Sequence, residues 1–135
     1  MQFVNYVNFN GNCRDAFEFY HQVLGGEIDG MMTYAEMPME GVPDDWNDKI
    51  LHAQLNVNGA LLMGSDAPPG DYHQPDGAYV CLLLDTSEEA DRVFGDLSQG
   101  GEIYMPIDET PWAKRFGMLR DRFGVPWMIN CLRPM

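Results

Sequence analysis

Three polar side chains on one predicted strand have the types and spacing best suited to chemistry. His52, Gln54 and Asn56 alternate with apolar residues between Ile50 and Val57. Successive side chains of a β-strand point to opposite faces, so this spacing predicts that the three polar groups share one face. His52 could act there as a general base or a ligand donor, since imidazole titrates near neutral pH. A structural histidine bonded across the sheet fits the pattern equally well.

A second candidate pair lies in the preceding strand, predicted over residues 27–37. Tyr34 and Glu36 are two residues apart, so both are expected to point to the same side. Glu36 could bind a cation or accept a proton, and a solvated carboxylate at a strand end is the alternative. His52 and Glu36 are therefore the candidate catalytic residues.

Aromatic and sulfur-containing side chains could form the apolar part of a binding site. Trp112 precedes the last predicted hairpin and could stack on a flat or cationic ligand, or pack in the core or a dimer interface. The ten methionines could line an adaptable pocket or fill the core.

Several chemistries lack the sequence features that they require. The chain has neither GxSxG nor the glycine-rich phosphate loops GxGxxG and GxxxxGK[ST], so a serine hydrolase or a nucleotide site has no motif behind it. Cys13, Cys81 and Cys131 are odd in number and widely spaced, which argues against a disulfide framework or a zinc knuckle. Asp66 is expected to cap a turn or to meet Arg120 or Arg122. We expect no cofactor.

Size and charge limit the class of protein and its partners. A chain of 135 residues, 45% hydrophobic, is typical of a single globular domain. A net charge of −13 repels nucleic acid and anionic membranes but tolerates a cationic small molecule. No signal-peptide pattern or long apolar run is present, so a cytoplasmic protein is expected.

Two similar hairpins position these residues. Residues 50–65 and 112–130 each read as two strands around a turn, with Gly59 in the first turn and Gly124 in the second. The same spacing of 65 residues pairs Met63 with Met128. The chain therefore contains an internal repeat, that is, two copies of one structural unit.

The segments before the hairpins repeat as well. A strand at residues 2–10 is followed by a helix that Asn12 could cap, and a strand at residues 78–84 is followed by a helix that Ser87 could cap. Each helix ends at a glycine pair, and a further strand follows it. This order predicts an α+β fold of two βαβββ modules in tandem, with mixed sheets curled around a cavity. Module 1 covers residues 1–66, a linker rich in Pro, Gly and Asp covers 67–77, and module 2 covers 78–135.

Taken together, four segments resemble the PhnB-like branch of the vicinal oxygen chelate superfamily, which includes glyoxalase I, bleomycin-resistance proteins and extradiol dioxygenases. They are NFNGNCRDAFEFY, MTYAEMP, LHAQLNVNGALLMGSD and ETPWAKRFGMLRDRFGVPWMIN. The branch has also carried the older name 3-demethylubiquinone-9 3-methyltransferase domain. The resemblance covers nearly the whole chain and implies the fold rather than the chemistry.

The resemblance also implies where a metal would lie. Metal-dependent relatives carry His or Gln on the first strand of each module and Glu on the last, positions that fall here on Tyr6 and Tyr79 and on Met63 and Met128. Phenol and thioether groups are poor ligands for Zn²⁺, Fe²⁺ or Mn²⁺, so no metal site of that kind is expected.

Three functions follow from this resemblance. The first is a small-molecule-binding protein or metal-independent enzyme. The second is a divalent-metal enzyme, glyoxalase-like or dioxygenase-like, with recruited ligands such as His52 and Glu36. The third is drug sequestration of the bleomycin-resistance type. We expect a homodimer, as is common in the superfamily, and a ligand pocket lined by Tyr6, Asn8, Tyr34, Gln54, Met63, Tyr79, Trp112 and Met128.

Overall fold

The order of elements in the first half of the chain recurs in the second. The structure is a computed structural model that describes residues 1–134. The chain forms two compact units, Met1–Gln74 and the part from Pro75 onward. The first unit contains β1 Asn5–Phe9, α1 Cys13–Leu24, β2 Glu27–Thr33, a 3-10 turn at Asp44–Trp46, β3 Ile50–Val57 and β4 Ala60–Asp66. The second contains β5 Val80–Leu83, α2 Ser87–Leu97, β6 Glu102–Asp108, β7 Ala113–Arg120 and β8 Pro126–Leu132.

The two sheets have the same topology. The strand orders are β1-β4-β3-β2 and β5-β8-β7-β6. The first strand of each unit is parallel to the last, and the other neighbours are antiparallel. The predicted α+β fold with two βαβββ modules and mixed sheets is confirmed.

Two tight turns close the predicted hairpins. Asn58 and Gly59 both have positive φ, 52° and 92°, which is the conformation of the two-residue turns that match strand twist. In the second hairpin Gly124 has φ 92°, and its N–H donates to the Asp121 carbonyl at 3.0 Å. Asn and Gly tolerate this conformation at little steric cost, so both turns form where the sequence predicts them.

One face of each sheet is covered by the helix of its own unit. In the first unit Phe9, Phe17 and Tyr20 are fully buried and pack ring against ring, with centroids 5.9 to 6.5 Å apart. In the second, Phe94 of α2 lies over Gly117 of β7, and Trp127 is fully buried. The apolar side chains on one side of each helix therefore form a core with the sheet of the same unit.

Some element ends differ from the prediction. β1 begins at Asn5, β5 covers only Val80–Leu83, and β2 ends at Thr33. The N-cap of α2 is Thr86 rather than Ser87, because the Thr86 hydroxyl accepts from the Glu89 N–H at 3.1 Å.

Asn12 occupies the N-cap position of α1 but makes no capping hydrogen bond through its side chain. Its Oδ1 is buried and has no hydrogen-bond partner. The Cys13 N–H donates instead to Asp66 Oδ1 at 2.9 Å, so a residue from the end of β4 caps this helix. Within residues 1–134, no helix is both long and apolar enough to cross a bilayer.

Candidate functional site

The face of the first sheet opposite α1, here called the polar face, brings together five of the ten candidate site residues: Tyr6, Asn8, His52, Gln54 and Met63. Gly64 lies against Phe17 of α1 and pairs with Val7 and Ala53, so these positions define the helix side. The neighbouring register row, Tyr6 beside Met63 beside Gln54, therefore lies on the polar face.

A tyrosine and a histidine from two strands meet on this face. The Tyr6 hydroxyl lies 3.4 Å from His52 Nδ1, and the ring centroids are 5.8 Å apart. Tyr6 is 51% exposed and His52 is half-buried. Solvent can therefore reach a pair of groups that can exchange a proton or hold a polar ligand atom.

The rest of the polar face is a network of amides and hydroxyls. Ser65 Oγ donates to Asn8 Oδ1 at 3.3 Å. Gln54 Nε2 and Asn56 Nδ2 donate to the two carboxylate oxygens of Asp29, at 2.8 and 3.3 Å. Sequence reasoning missed Asp29, which lies where the register of β2 shifts beside Gly30. The glycine that follows Asp29 could have identified it, since a glycine inside a strand often marks a bulge.

Tyr34 and Glu36 do not alternate on a strand, so that prediction is wrong. The strand ends at Thr33, and Glu36 Oε1 accepts from the Thr33 N–H at 3.2 Å and from its hydroxyl at 3.0 Å. This local bonding turns the chain. Tyr34 is buried, and its hydroxyl donates to the Asp66 carbonyl at 2.7 Å, whereas Glu36 is exposed.

Asp66 is a structural carboxylate. It is 1% exposed, and its oxygens accept from the Cys13 N–H at 2.9 Å and the Ile50 N–H at 2.8 Å. Within the second unit, Arg120 donates to the main-chain carbonyls of Pro75 and Gly124 at 2.9 and 2.6 Å.

The groups around Asp66 are held neutral. Burial, reinforced by the Asp66 charge, raises the pKa of the Cys13 thiol far above its usual value. Burial, again followed by Asp66, raises the pKa of Tyr34. A protonated, buried thiol is inert, so this cluster stabilises the fold and supplies no nucleophile.

In the second unit, the register changes one predicted equivalence. Tyr6 pairs with Met63 in the first unit, and Cys81 pairs with Met128 in the second. Cys81, not Tyr79, is therefore the counterpart of Tyr6, and Tyr79 precedes β5. The predicted equivalence of Tyr6 and Tyr79 rested on their shared residue type. The register is set instead by hydrogen bonds between strands that are distant in the chain.

Aromatic and sulfur groups dominate the face of the second sheet opposite α2. Met128 lies between Cys81 and Met118 in the register. Trp112 is 56% exposed and packs edge-to-face on Phe116 at 5.5 Å, which excludes a core position for it within this unit. Sequence reasoning missed Cys81, Phe116 and Met118 on this face. The alternation of side chains along each strand could have placed them on this face.

The family model described as Glyoxalase/Bleomycin resistance protein/Dioxygenase superfamily matches residues 3–129. The chain belongs to this superfamily, in its PhnB-like branch. It is 36% identical to protein YjdN of Escherichia coli K12, over 95% of this chain and 93% of that protein. Among solved structures it is similar to protein PA1353 of Pseudomonas aeruginosa, with 46% identity, 99% coverage of both chains and a TM-score of 0.91. The PhnB protein of Bacillus cereus matches at 27% identity over 97% of this chain and 99% of that one, with a TM-score of 0.80.

The metal positions implied by the family carry none of the imidazole or carboxylate groups found in its metal-dependent members. With the register corrected, these positions hold Tyr6, Met63, Cys81 and Met128, which offer one phenol, two thioethers and one thiol. Zn²⁺ and Fe²⁺ sites of this family's type need imidazole and carboxylate groups. Within residues 1–134, no three His, Cys, Asp or Glu side chains are grouped so that they could hold a metal ion.

Proposed function

We propose that the protein is a cytoplasmic, homodimeric small-molecule-binding protein or metal-independent enzyme of the PhnB-like branch, and that the ligand contacts the polar face of the first sheet. The Tyr6–His52 pair is the observation that carries this proposal. Its two groups come from β1 and β3, lie 3.4 Å apart, and are accessible to solvent.

The surroundings of this pair suit a ligand with both polar and apolar parts. Met63 and Met32 flank Tyr6 and His52 in the register, and methionine adapts to irregular apolar shapes. The amides of Asn8 and Gln54 can fix the orientation of a ligand by hydrogen bonding. A neutral or cationic ligand is favoured, because the chain has a net charge of −13.

A recruited divalent-metal site at His52 and Glu36 has less support. Glu36 is bonded to Thr33 in an exposed turn, and His52 lies on the polar face. Drug sequestration remains a second candidate, since Trp112 is an exposed aromatic plane in a strongly acidic protein.

The proposal is tested on protein purified without a chelator, by native mass spectrometry and by elemental analysis for zinc, iron and manganese. We expect a small-molecule adduct that is weakened by Tyr6→Phe and lost in His52→Ala. His73→Ala is the matched control, because His73 is exposed in the segment between β4 and β5, away from the strands of the polar face. A stoichiometric divalent ion that is lost in His52→Ala would contradict metal independence.

The same protein preparation also tests whether the protein sequesters drugs. Titration with bleomycin, followed by Trp fluorescence, should give a saturable change that Trp112→Leu removes if the protein sequesters such drugs. No saturable change is expected if the polar face of the first sheet is the binding site for another ligand.

A further inference from the structure

Asp29, on the edge strand β2, fixes the orientation of two amides on the polar face. Gln54 Nε2 donates to Asp29 Oδ1 at 2.8 Å, and Asn56 Nδ2 donates to Asp29 Oδ2 at 3.3 Å. An ionised carboxylate only accepts hydrogen bonds, so both amides must direct their NH₂ groups toward it. The oxygen of Asn56 is used as well, because its Oδ1 accepts from the Gly59 N–H at 2.8 Å.

The oxygen of Gln54 is the acceptor that this arrangement leaves available. Among residues 1–134, no donor bonds to Gln54 Oε1. Gln54 is half-buried and Asp29 is exposed, so a solute can reach both side chains. An amide oxygen and a carboxylate oxygen side by side form a site for a group that donates hydrogen bonds.

The spacing of these two oxygens suits a single ammonium group. The O and N atoms of an amide are about 2.2 Å apart, as its bond lengths require. Because Gln54 Nε2 lies 2.8 Å from Asp29 Oδ1, Gln54 Oε1 is at most about 5 Å from that oxygen. A tetrahedral nitrogen that donates to two oxygens at about 2.9 Å spans about 4.7 Å between them.

The charges of the first unit favour a cation over an anion at this site. Strands β1–β4 contain no Lys or Arg. The unit has only two such residues, Arg14 on α1, which donates to Met31 Sδ at 3.7 Å, and Lys49, which donates to the Gly11 carbonyl at 3.1 Å. A phosphate or carboxylate group on the polar face therefore meets no counter-charge from the strands, whereas a cation meets the Asp29 carboxylate.

We propose that the ligand of the polar face carries a protonated primary amine, which donates hydrogen bonds to Gln54 Oε1 and the Asp29 carboxylate. This inference rests on the function proposed above and names the chemical class of the ligand. His52 is two residues from Gln54 on the same strand, about 7 Å away, so the Tyr6–His52 pair contacts a different part of the ligand. A primary amine is protonated at neutral pH, as the lysine side chain is.

The test compares three probes of similar shape and different charge, namely phenethylamine, 2-phenylethanol and phenylacetate. Each is titrated at pH 7 into the full chain, and the backbone amide signals are followed by NMR. We expect phenethylamine to shift the signals of Asp29 and Gln54 saturably, 2-phenylethanol to bind more weakly, and phenylacetate to bind at least about 10-fold more weakly than the amine. A charged partner strengthens a hydrogen bond, and only the amine supplies a positive charge.

Two variants locate the amine. Asp29→Asn and Gln54→Ala should each weaken phenethylamine binding by about 10-fold, as expected when a hydrogen bond to a charged group is lost. Glu18→Gln is the matched control, because it removes one exposed carboxylate from α1, on the other side of the sheet, and should leave the affinity unchanged. Thermal melting of each variant checks that the fold is intact.

The proposal is overturned if phenethylamine causes no saturable shift, if phenylacetate binds as tightly as the amine, or if Asp29→Asn and Gln54→Ala bind the amine as well as the parent chain. Its failure is distinguishable from failure of the proposed function. A copurified adduct that depends on His52 but is fully retained in Asp29→Asn would support the proposed function and overturn the amine site. Selective phenethylamine binding at Asp29 in a chain that copurifies with no adduct would give the opposite result.

Discussion

Asp66 shows how one buried residue connects elements that are distant in sequence. Its carboxylate accepts main-chain N–H groups at the start of α1 and of β3, and its carbonyl accepts the Tyr34 hydroxyl after β2. A carboxylate buried to this degree is tolerated because N–H donors replace water around it.

Replacing this carboxylate should destabilise the fold. In Asp66→Asn the amide brings N–H groups toward donors, so at least one buried main-chain N–H loses its acceptor. We expect the free energy of unfolding, measured by urea denaturation, to fall by about 2–4 kcal/mol, since a hydrogen bond to a charged group is worth about 1.5–3 kcal/mol. The exposed Asp48→Asn should change it by less than about 0.5 kcal/mol. Equal effects of the two substitutions would contradict this role.

At the scale of elements, close contact between helix and sheet depends on glycines in the strands. A Cβ placed on Gly64 of β4 would lie 2.8 Å from the Phe17 ring of α1 and 2.8 Å from the Val7 carbonyl oxygen. The backbone contact cannot relax by a rotamer change, so α1 packs this closely only because the strand carries no side chain there.

Two glycine-to-alanine substitutions should therefore act in opposite directions. Gly64→Ala should lower the free energy of unfolding by about 1–3 kcal/mol, because it overpacks the core between α1 and β4. Gly95→Ala should raise it by about 0.5–1 kcal/mol, because Gly95 lies inside α2 with open space around its Cα. Urea denaturation of both variants against the parent chain measures the difference. Stabilisation by Gly64→Ala would show that the contact is not tight.

At the scale of the whole molecule, the second sheet has an exposed apolar edge. β6 is an edge strand, and its neighbouring residues Ile103, Tyr104 and Met105 are 49%, 42% and 45% exposed. An edge strand with unpaired main-chain groups and apolar side chains is a surface that proteins usually cover. A second copy of the chain is the partner that we propose.

Light scattering at micromolar concentration should therefore give about twice the chain mass of 15.3 kDa. Ile103→Lys should shift the mass toward the monomer, because a charge on the edge opposes strand pairing. Lys114→Gln is the control, because Lys114 is an exposed side chain on the neighbouring strand β7 and its replacement adds no charge to the edge strand. This variant should stay dimeric. A parent chain that scatters at 15.3 kDa would exclude the dimer.

The sequence by itself determined the features that depend on neighbours along the chain. Strand alternation placed His52, Gln54 and Asn56 together, and Gly59 and Gly124 marked the hairpin turns, because these signals act within a few residues. The repeat of the whole order then gave the α+β fold and the family resemblance. Use of the predicted residues as a ligand pocket stays a prediction.

Only the tertiary structure decided which residues from distant segments of the chain contact each other. Cys81 replaced Tyr79 as the counterpart of Tyr6, Asp66 replaced Asn12 as the cap of α1, and Tyr34 turned inward while Glu36 turned outward. Each outcome depends on hydrogen bonds between segments far apart in the chain or on competition between side chain and backbone at a strand end. Local patterns do not determine such partners, since a one-residue change of register exchanges the two faces of a strand.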